Sequence, residues 1–506
     1  MKNLTKNITR NSLIIFLSGL IAFSGCDTAL DIEADNNLSG DALTSDANIQ
    51  SALLGAYVNL MGIYDGGDGG ELLGGDLQLM ATLLTRANNT EISWSDIEAP
   101  DYEDFIDKDV LDINNRVEAN WRRAYETINT VNAILENLAN ISNTGDRSRI
   151  EGEALAIRGI LYFELVRFWA PQYNAANAST TPGVPLLLSS IGDVNEITTP
   201  SKASVGAVYA QAIQDLTNAS TLLQGVNTNG RISYYACQAY LARIALQQND
   251  FAAAEGHLNT VIGGGFTLTT TPMGAFNNPT PSTEDILVVQ QNSASNTGTI
   301  GSRTGLVAHV ASIPNVGFAA MRIIPESLNS SFLNNNPKFY AADLRYTTFT
   351  GIDDNSSVAD VPGNAAFYND PVNTLTVSSA KYLDATNVLP VIRLSEMLLS
   401  RAEAVLEQNF TGPVTGVPLA DLNAVRTRAG LTALPATLSA QEFYDSLVVE
   451  RNRELLYEGI VFHDAKRWAV LNAHQTPSLA FRNPLDARFI LPIPQAECDA
   501  SPGLCN

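Results

Sequence analysis

Apolar residues at helical spacing run through most of this chain, and this periodicity constrains its fold more than any other feature. The pattern extends over residues 46–262 and returns over residues 389–467, whereas the stretch between them lacks it. Within residues 115–141, apolar side chains recur every three or four positions, which predicts one long amphipathic helix. We therefore predict a mostly α-helical protein.

Two helical segments have the character of an array of helix pairs. Residues 153–169 form a predicted helix whose apolar side chains cover nearly half of its circumference, so it should pack on more than one neighbour before Ala170-Pro171 ends it. Residues 240–262 are typical of a tetratricopeptide-type hairpin, with a turn at Asn249-Asp250. Because no strict repeat period survives, we expect helix pairs overlaid by other elements rather than an open solenoid.

Two long segments lack the helical pattern and are rich in turn residues. Residues 263–388 are dominated by Gly, Pro, Asn, Ser and Thr, with short β-type runs and scattered aromatic side chains. Residues 61–107 have the same character and contain a Gly-rich run at 66–70. Irregular segments of this length inside a compact protein usually carry function, so we predict that these two loop regions form the ligand surface.

The charge balance excludes one class of partner. The chain has 30 Lys and Arg against 53 Asp and Glu, a formal net charge of −23. This acidic excess repels phosphate backbones, so we expect no nucleic-acid partner. The 45 Asn residues outnumber the 30 basic residues, and neutral amides can hydrogen-bond to neutral polar ligands as readily as to water.

The N-terminus predicts export. Basic residues precede an apolar run at residues 13–23, which has signal-peptide length and is too short to span a bilayer. The sequence Phe23-Ser24-Gly25-Cys26 resembles a bacterial lipoprotein signal, although Leu is more usual at the first of these positions. The resemblance implies removal of residues 1–25, lipidation of Cys26 and a polar tether over residues 26–45, with the lipid anchor as the only membrane attachment. The alternative is a plain secretory peptide with an incidental cysteine.

The other three cysteines differ in their surroundings. Cys237 lies in a helical apolar pattern, and we interpret it as a core residue. Cys498 and Cys505 flank a Pro-Gly turn near the C-terminus, where an exported protein either forms a small disulfide loop or keeps two free thiols. Neither arrangement indicates catalysis.

The usual catalytic motifs of zinc proteases, serine hydrolases, P-loop enzymes and dinucleotide-binding enzymes are absent from the sequence. Ser378-x-x-Lys381 matches a sequence motif of penicillin-binding proteins, but the companion motifs of those proteins are absent. Glu450, Glu454 and Glu458 are spaced to share one helical face, and paired carboxylates serve glycoside hydrolysis, but neighbouring arginines favour a salt-bridged helix. We therefore predict no catalytic residue, no cofactor and no metal ion.

The sequence also allows predictions for two arginines and one acidic loop. Arg158 and Arg401 each fall inside the apolar arc of a helix, so we interpret both as buried structural residues. The partners expected for them are Glu403, Glu450 and Glu454. Residues 353–355 and Asp360 carry oxygen ligands that suit calcium, but without an EF-hand spacing we interpret them as a solvated acidic turn.

Five segments occur in an order typical of one known family: residues 153–169 followed by Gly183-Val-Pro185, Gly230-Arg231, residues 390–404, residues 422–431 and residues 450–468. Leu491-Pro-Ile-Pro494 also fits. Together they resemble the SusD/RagB-like outer-membrane nutrient-uptake lipoproteins, and the resemblance spans essentially the whole mature chain. His463 departs from the family pattern at a scaffold position.

This resemblance implies a fold, a division of the chain and a function. The fold consists of tetratricopeptide-like helix pairs overlaid by a loop-rich ligand-binding face with few short strands. Residues 46–268 form an N-terminal helical region, residues 269–388 a variable insertion with the candidate ligand face, and residues 389–506 a C-terminal helical region. The implied function is surface capture of a nutrient oligosaccharide and its delivery to a SusC-like TonB-dependent transporter in the outer membrane.

Ligand residues vary within this family, so physical chemistry must choose them. Sugars present apolar C–H faces and hydroxyl rims, and a binder therefore needs exposed aromatic platforms beside polar side chains. For each aromatic residue, anchoring of its own loop is the alternative. The first candidates are Trp94, Arg86, Asn88 and Asn89, then Asp76 and Tyr102, and in a second group Tyr340, Tyr346 and Tyr368.

Three other functions stay open from the sequence. A peptide-capturing member of the same family would share the scaffold, and only ligand binding separates the two. A surface glycoside hydrolase would turn over oligosaccharide and lose activity when a carboxylate pair is substituted. A structural adaptor would bind no small ligand.

Overall fold

The structure, a computed structural model, is mostly helical, as the periodicity predicts. The expected signal peptide, Cys26 and most of the expected tether lie outside the described residues. The described residues are 42–62, 70–85, 92–94, 100–192, 200–226, 230–291, 305–311, 321–323, 331–333, 336–337, 342–350, 358–369, 376–384, 386–471 and 485–505.

Several helices begin where apolar spacing follows a residue whose side chain caps the helix. The Ser45 side chain accepts a hydrogen bond from the Asn48 amide at the start of the first helix. Asn114 accepts from the amides of Arg116 and Val117 at the start of a longer helix. In the described part of the chain, the helices are α1 (Asp46–Met61), α2 (Asp76–Leu84), α3 (Glu103–Asp107), α4 (Asn115–Glu136), α5 (Thr144–Trp169), α6 (Val205–Leu223), α7 (Tyr234–Gln247), α8 (Phe251–Ile262), α9 (Gly305–Val310), α10 (Leu394–Gln408), α11 (Val417–Arg428), α12 (Ala440–Glu454), α13 (Ile460–Leu471) and α14 (Gln495–Ala500).

Consecutive helices pack as pairs. α5 packs along α6, and Gly159 allows their close approach, because a Cβ there would lie 2.9 Å from Leu216 Cγ. α7 and α8 form the predicted hairpin, whose turn holds Asn249 at a φ of 57°, a conformation that Asn tolerates. α8 packs in turn on α10, and α10 on α11. These contacts confirm the prediction of tetratricopeptide-like helix pairs.

Two hydrophobic clusters hold the helices together. The larger cluster includes most buried side chains of α1 to α8 and of the strands, with Cys237 of α7 fully buried inside it. The smaller cluster joins α10, α11, α12 and α13 around Leu399, Leu422, Phe443 and Trp468. Burial of each such side chain contributes roughly 1.5–3 kcal/mol, so both clusters stabilise the scaffold.

The strands are short, and several pair across long sequence separations. Those that fall within the described ranges are β1 (Ile92–Trp94), β2 (Pro182–Pro185), β3 (Lys202–Ser204), β4 (Asp285–Val289), β5 (Met321–Ile323), β6 (Ser331–Leu333), β7 (Asn336–Pro337), β8 (Thr348–Phe349), β9 (Phe367–Asn369), β10 (Val377–Ser379) and β11 (Leu389–Arg393). One sheet has five strands in the order β1-β5-β10-β9-β8, and only β8 and β9 run parallel among its pairs. The pairs β11-β4, β2-β3 and β6-β7 form separate two-stranded sheets.

Candidate functional site

The five-stranded sheet joins the two loop regions that the sequence assigns to the ligand surface. β1 comes from the first region, and the four strands that follow it in the sheet come from the insertion. Trp94 ends β1 opposite Met321, Tyr368 lies in β9, and Tyr346 is two residues before β8. Three of the predicted aromatic residues therefore lie in or beside one sheet.

Trp94 and Tyr102 belong to an aromatic cluster with His309 of α9. The Tyr102 ring centroid lies 5.2 Å from that of Trp94 and 4.8 Å from that of His309. The guanidinium of Arg116 lies 4.8 Å from the Tyr102 centroid, within the range of a cation–π contact. Since Arg116 belongs to α4, this cluster fixes the end of β1 against two helices.

Asp76, the first residue of α2, is the polar centre of this cluster. Its carboxylate accepts hydrogen bonds from the Gly70 amide at 2.9 Å, from Asn120 Nδ2 at 3.0 Å and from the Tyr102 hydroxyl. Burial alone raises the pKa of Asp76, but the charge of Arg116 and hydrogen bonding with Glu71, Tyr102 and the Gly70 amide outweigh it and lower the pKa to about 2. Asp76 is therefore a buried, ionised anchor that organises the surrounding loop.

The predicted platforms of this cluster and sheet are not exposed. Trp94 is only 8% exposed, and Tyr102, Tyr368 and Asp76 are fully buried. The expectation that these four residues present their side chains to a sugar is therefore wrong. The physical reason is the pairing of β1 with β5, which places Trp94 in the packed aromatic cluster.

Tyr346 has the exposure that the other described candidates lack. It is half-buried, and its apolar part packs against the larger hydrophobic cluster. Its position beside β8 places it at the edge of the five-stranded sheet. Four further candidates lie outside the described part of the chain: Arg86, Asn88, Asn89 and Tyr340.

A buried network of charged side chains, here called the ionic cluster, connects the insertion to the scaffold. Arg393, at the end of β11, reaches Glu284 at 2.6 Å and Glu458 at 2.7 Å. Arg345, just before β8, reaches Glu450 at 2.6 Å. The members of the ionic cluster are Glu284, Asp343, Arg345, Lys381, Arg393, Arg426, Arg428, Glu450, Glu454 and Glu458.

Glu450, Glu454 and Glu458 differ from the sequence-based interpretation in two respects. α12 ends at Glu454, so Glu458 lies beyond the helix rather than on a shared face. Their closest partners are arginine and lysine side chains from other elements instead of neighbours on one solvated helix, for example Arg428 Nη2 at 2.6 Å from Glu454 Oε1. Burial raises the pKa of Glu454, but the charge of Arg428 and its neighbours lowers it well below its usual range.

Few features of the sequence indicate the ionic cluster. Arg345 lies in a loop region whose neighbours reveal nothing of its burial, and its distance from α12 in sequence hides the contact. Arg393 ends an otherwise apolar strand, and a charge in such a run indicates a buried partner. The charge at Arg393 indicates that a buried partner exists, but it does not identify the carboxylates that fill this role.

Ser378-x-x-Lys381 is structural. Ser378 is fully buried in β10. Lys381 Nζ donates to the carbonyls of Glu454 and Leu456 at 3.0 and 2.9 Å and pairs with Glu458 at 2.7 Å. The ammonium group therefore links the turn after α12 to the end of β10. This structural role is consistent with the interpretation that the Ser-x-x-Lys sequence is not catalytic here.

Arg158 and Arg401 have partners other than the predicted ones. Arg158 forms a two-pronged pair with Asp215 of α6, with both distances 2.8 Å. Arg401 forms the same arrangement with Asp421 of α11, at 2.7 and 2.8 Å. The expected partners Glu403, Glu450 and Glu454 were wrong. A carboxylate inside the apolar stripe of the next helix, such as Asp215, is the feature of the sequence that indicates such a partner.

The remaining site predictions concern metal ions and the C-terminal cysteines. Across the described residues, no group of three or more His, Cys, Asp or Glu side chains is placed to hold a metal ion. Residues 353–355 of the acidic loop lie outside that part, while Asp360 is exposed in a short turn. Cys498 and Cys505 form a disulfide, with their Cα atoms 5.5 Å apart. None of the described helices combines the length and the apolar character that a membrane crossing requires.

Comparison with known proteins agrees with this architecture. A family model described as starch-binding and associating with the outer membrane matches residues 30–246, and one described as the SusD family matches residues 367–488. No curated protein matches the chain.

Solved structures match over nearly the whole chain. A SusD superfamily protein from Bacteroides thetaiotaomicron is 25% identical, with a TM-score of 0.70 over 91% of this chain and 99% of its own. A SusD superfamily protein from Bacteroides fragilis is 20% identical, with a TM-score of 0.72 over 92% of this chain and 100% of its own. Surface glycan-binding protein A from Bacteroides uniformis is 21% identical, with a TM-score of 0.69 over 91% of this chain and 99% of its own.

Proposed function

Because the chain belongs to the SusD/RagB-like family, we propose that it captures a nutrient oligosaccharide at the cell surface and delivers it to a SusC-like TonB-dependent transporter. The family is one of outer-membrane-associated, carbohydrate-binding proteins. In this proposal Cys26 carries the lipid anchor, and the protein itself catalyses no reaction. The five-stranded sheet is the observation that carries the proposal.

The sheet supports glycan capture because it gathers both Asn-rich, aromatic loop regions on a rigid scaffold. The aromatic cluster holds one region at Trp94, and the ionic cluster holds the insertion at Arg345 and at Glu284, the partner of Arg393. A site held in this way loses little conformational entropy when a ligand binds. We propose that the ligand contacts come from the loops at the rim of this sheet, with Tyr346 as the stacking residue among those described.

The state of the carboxylates supports a binding role rather than hydrolysis. A glycosidase needs two carboxyl groups that face the scissile bond from its two sides. Glu450, Glu454 and Glu458 are instead buried or nearly buried and engaged by arginine or lysine side chains. None of the three is free to donate a proton to a substrate.

Calorimetry tests the proposal. A soluble form that begins after Cys26 is titrated with neutral and acidic oligosaccharides and with peptides of similar length. We expect heat from at least one oligosaccharide and no release of shorter products. Binding of peptides alone would replace the proposal with peptide capture, and release of shorter sugars would replace it with hydrolysis.

Substitution of Tyr346 tests where the sugar binds. Tyr346→Ala should weaken oligosaccharide binding about fivefold to thirtyfold, because loss of aromatic stacking removes about 1–2 kcal/mol of binding free energy. Tyr346→Phe retains the ring and should bind nearly as well. Tyr234→Ala is the matched control, since Tyr234 is another half-buried tyrosine but lies at the start of α7. Equal affinities for Tyr346→Ala and the control would contradict the assignment.

A further inference from the structure

A pocket lies among the helices, and no residue that lines it belongs to the five-stranded sheet. Its volume is about 290 Å³, close to the lower end of the range for small-molecule sites. It is formed by the segment that follows α5, by the C-terminal half of α13 and by residues 485–490. Its polar lining includes Asn174, Asn177, Thr181, Lys466 and Asp486.

Lys466 gives this pocket a buried positive charge. The residue is 2% exposed, and its Nζ donates one hydrogen bond, to the Arg167 carbonyl at 2.7 Å. Its other close contact is with the Phe462 ring, 5.1 Å from the centroid. Among the described residues no carboxylate lies within ion-pair distance of Lys466. The ammonium group therefore has two donor hydrogens for which the described residues supply no acceptor, and burial makes such unused donors costly.

The other charged groups at the pocket do not compensate Lys466. Asp486 lines the pocket, but both of its oxygens accept from the Arg488 guanidinium, at 3.1 Å each. Arg167, which lies next to Lys466, is paired with Glu164. Burial and the nearby charge of Arg167 lower the pKa of Lys466 to about 7. An anion bound beside Lys466 would reverse that shift.

The walls of the pocket carry neutral hydrogen-bonding groups. Asn174 uses its side-chain oxygen to accept from the Ala176 amide at 3.0 Å, which leaves its NH₂ group for a ligand. The exposed Asn177 side chain has no hydrogen-bond partner within the described part of the chain, and Thr181 lies beside it. Amides and a hydroxyl around one ammonium group suit a ligand with several hydroxyl groups and a single negative charge.

We propose that this pocket binds the hexuronate unit of an acidic saccharide. Lys466 Nζ donates to the carboxylate, and the amides of Asn174 and Asn177 hydrogen-bond the ring hydroxyls. The choice of a sugar as the carrier of the carboxylate rests on the proposed function. The pocket itself is separate from the sheet that carries that function, so the two can fail independently.

Titration of the soluble protein with D-galacturonate, D-galactose and acetate tests the pocket. We expect galacturonate to bind at least tenfold more tightly than either of the others, because galactose lacks the charge and acetate lacks the hydroxyl groups. The affinity for galacturonate should fall as the pH rises above about 7, where unliganded Lys466 loses its proton. Equal binding of galactose, or an affinity independent of pH, overturns the proposal, and so does equal binding of acetate.

Two variants and one control locate the binding. Lys466→Met keeps the apolar stem and should reduce galacturonate affinity more than tenfold, whereas Lys202→Met removes a partly exposed lysine of β3 and should change nothing. If Lys466→Met does not fold, Asn177→Asp tests the proposal instead. A carboxylate on the exposed wall of the pocket should repel galacturonate and lower its affinity by a similar factor. Unchanged affinity in a folded variant overturns the proposal. Oligosaccharide binding that depends on Tyr346 should survive all three substitutions, which separates this test from that of the proposed function.

Discussion

Replacement of Arg393 by methionine tests whether the ionic cluster fixes the insertion to the scaffold. Arg393 is 1% exposed and pairs with Glu284, Glu454 and Glu458 at 2.6, 3.2 and 2.7 Å. Methionine fills much of the same space, so the change removes mainly the charge and its hydrogen bonds. Three buried carboxylates then lose a common partner.

The remaining pairs set the expected magnitude. Removal of one partner from a buried ion pair costs about 3–5 kcal/mol, because the other charge stays buried without compensation. Here Glu454 keeps Arg428 at 2.6 Å and Glu458 keeps Lys381 at 2.7 Å. Glu284 keeps Arg428 at 3.1 Å. Because each carboxylate retains one cation, we expect a loss near the lower end, about 3 kcal/mol in the free energy of unfolding.

Guanidinium and urea unfolding at pH 7 measures this loss against a matched control. Arg122→Met removes an arginine from a pair of similar length, 3.0 Å to Glu126, in which both side chains are more than 40% exposed. An exposed pair of this kind contributes about 0.3–0.5 kcal/mol. If Arg393→Met costs no more than Arg122→Met, the ionic cluster does not hold the insertion and the reasoning is refuted.

Three further predictions concern a buried carboxylate, the aromatic cluster and the anchor. Burial raises the pKa of Asp285 from 3.8 to about 6, so the folded protein binds this proton more tightly and loses stability as the pH rises between these values. Asp285→Asn should remove that loss, so that the free energy of unfolding in urea exceeds that of the wild type by ~1–3 kcal/mol between pH 4 and pH 7. Equal dependence of the two proteins on pH would contradict this prediction. Asp76→Asn removes the charged acceptor of the Tyr102 hydroxyl and should lower the free energy of unfolding by about 2–3 kcal/mol at pH 7. This loss should become smaller as the pH falls towards 2, where Asp76 of the wild type is protonated. A loss that does not vary with pH would contradict the prediction. Cys26→Ala should move the protein from the detergent phase to the aqueous phase, and its persistence in detergent would refute the anchor.

The helical scaffold was predictable because its determinants are local. The apolar spacing of α4 predicts its start at Asn115, and the helix ends at Glu136, a few residues before the expected end, where a short 3₁₀ turn takes over. α5 ends at Trp169, before the predicted break at Pro171. The hairpin of α7 and α8 also has its turn where Asn249 was expected.

The candidate site was less predictable because its determinants are contacts between distant segments. The burial of Trp94 depends on the pairing of β1 with β5, and no local pattern in residues 92–94 reveals that partner. The same holds for Arg345, because two of its carboxylate partners, Glu450 and Glu454, lie on α12. Composition identifies the two loop regions that the five-stranded sheet brings together. It does not show whether an aromatic residue in them is an exposed platform for a ligand or a buried anchor of its own loop.

A crystal structure of the soluble protein with the best oligosaccharide from the calorimetric panel tests the central claim most directly. The account predicts sugar density at the rim of the five-stranded sheet, with the Tyr346 ring against a sugar face and contacts from both loop regions. Sugar bound only to the helical surfaces, or no bound sugar at saturating concentration, would contradict it.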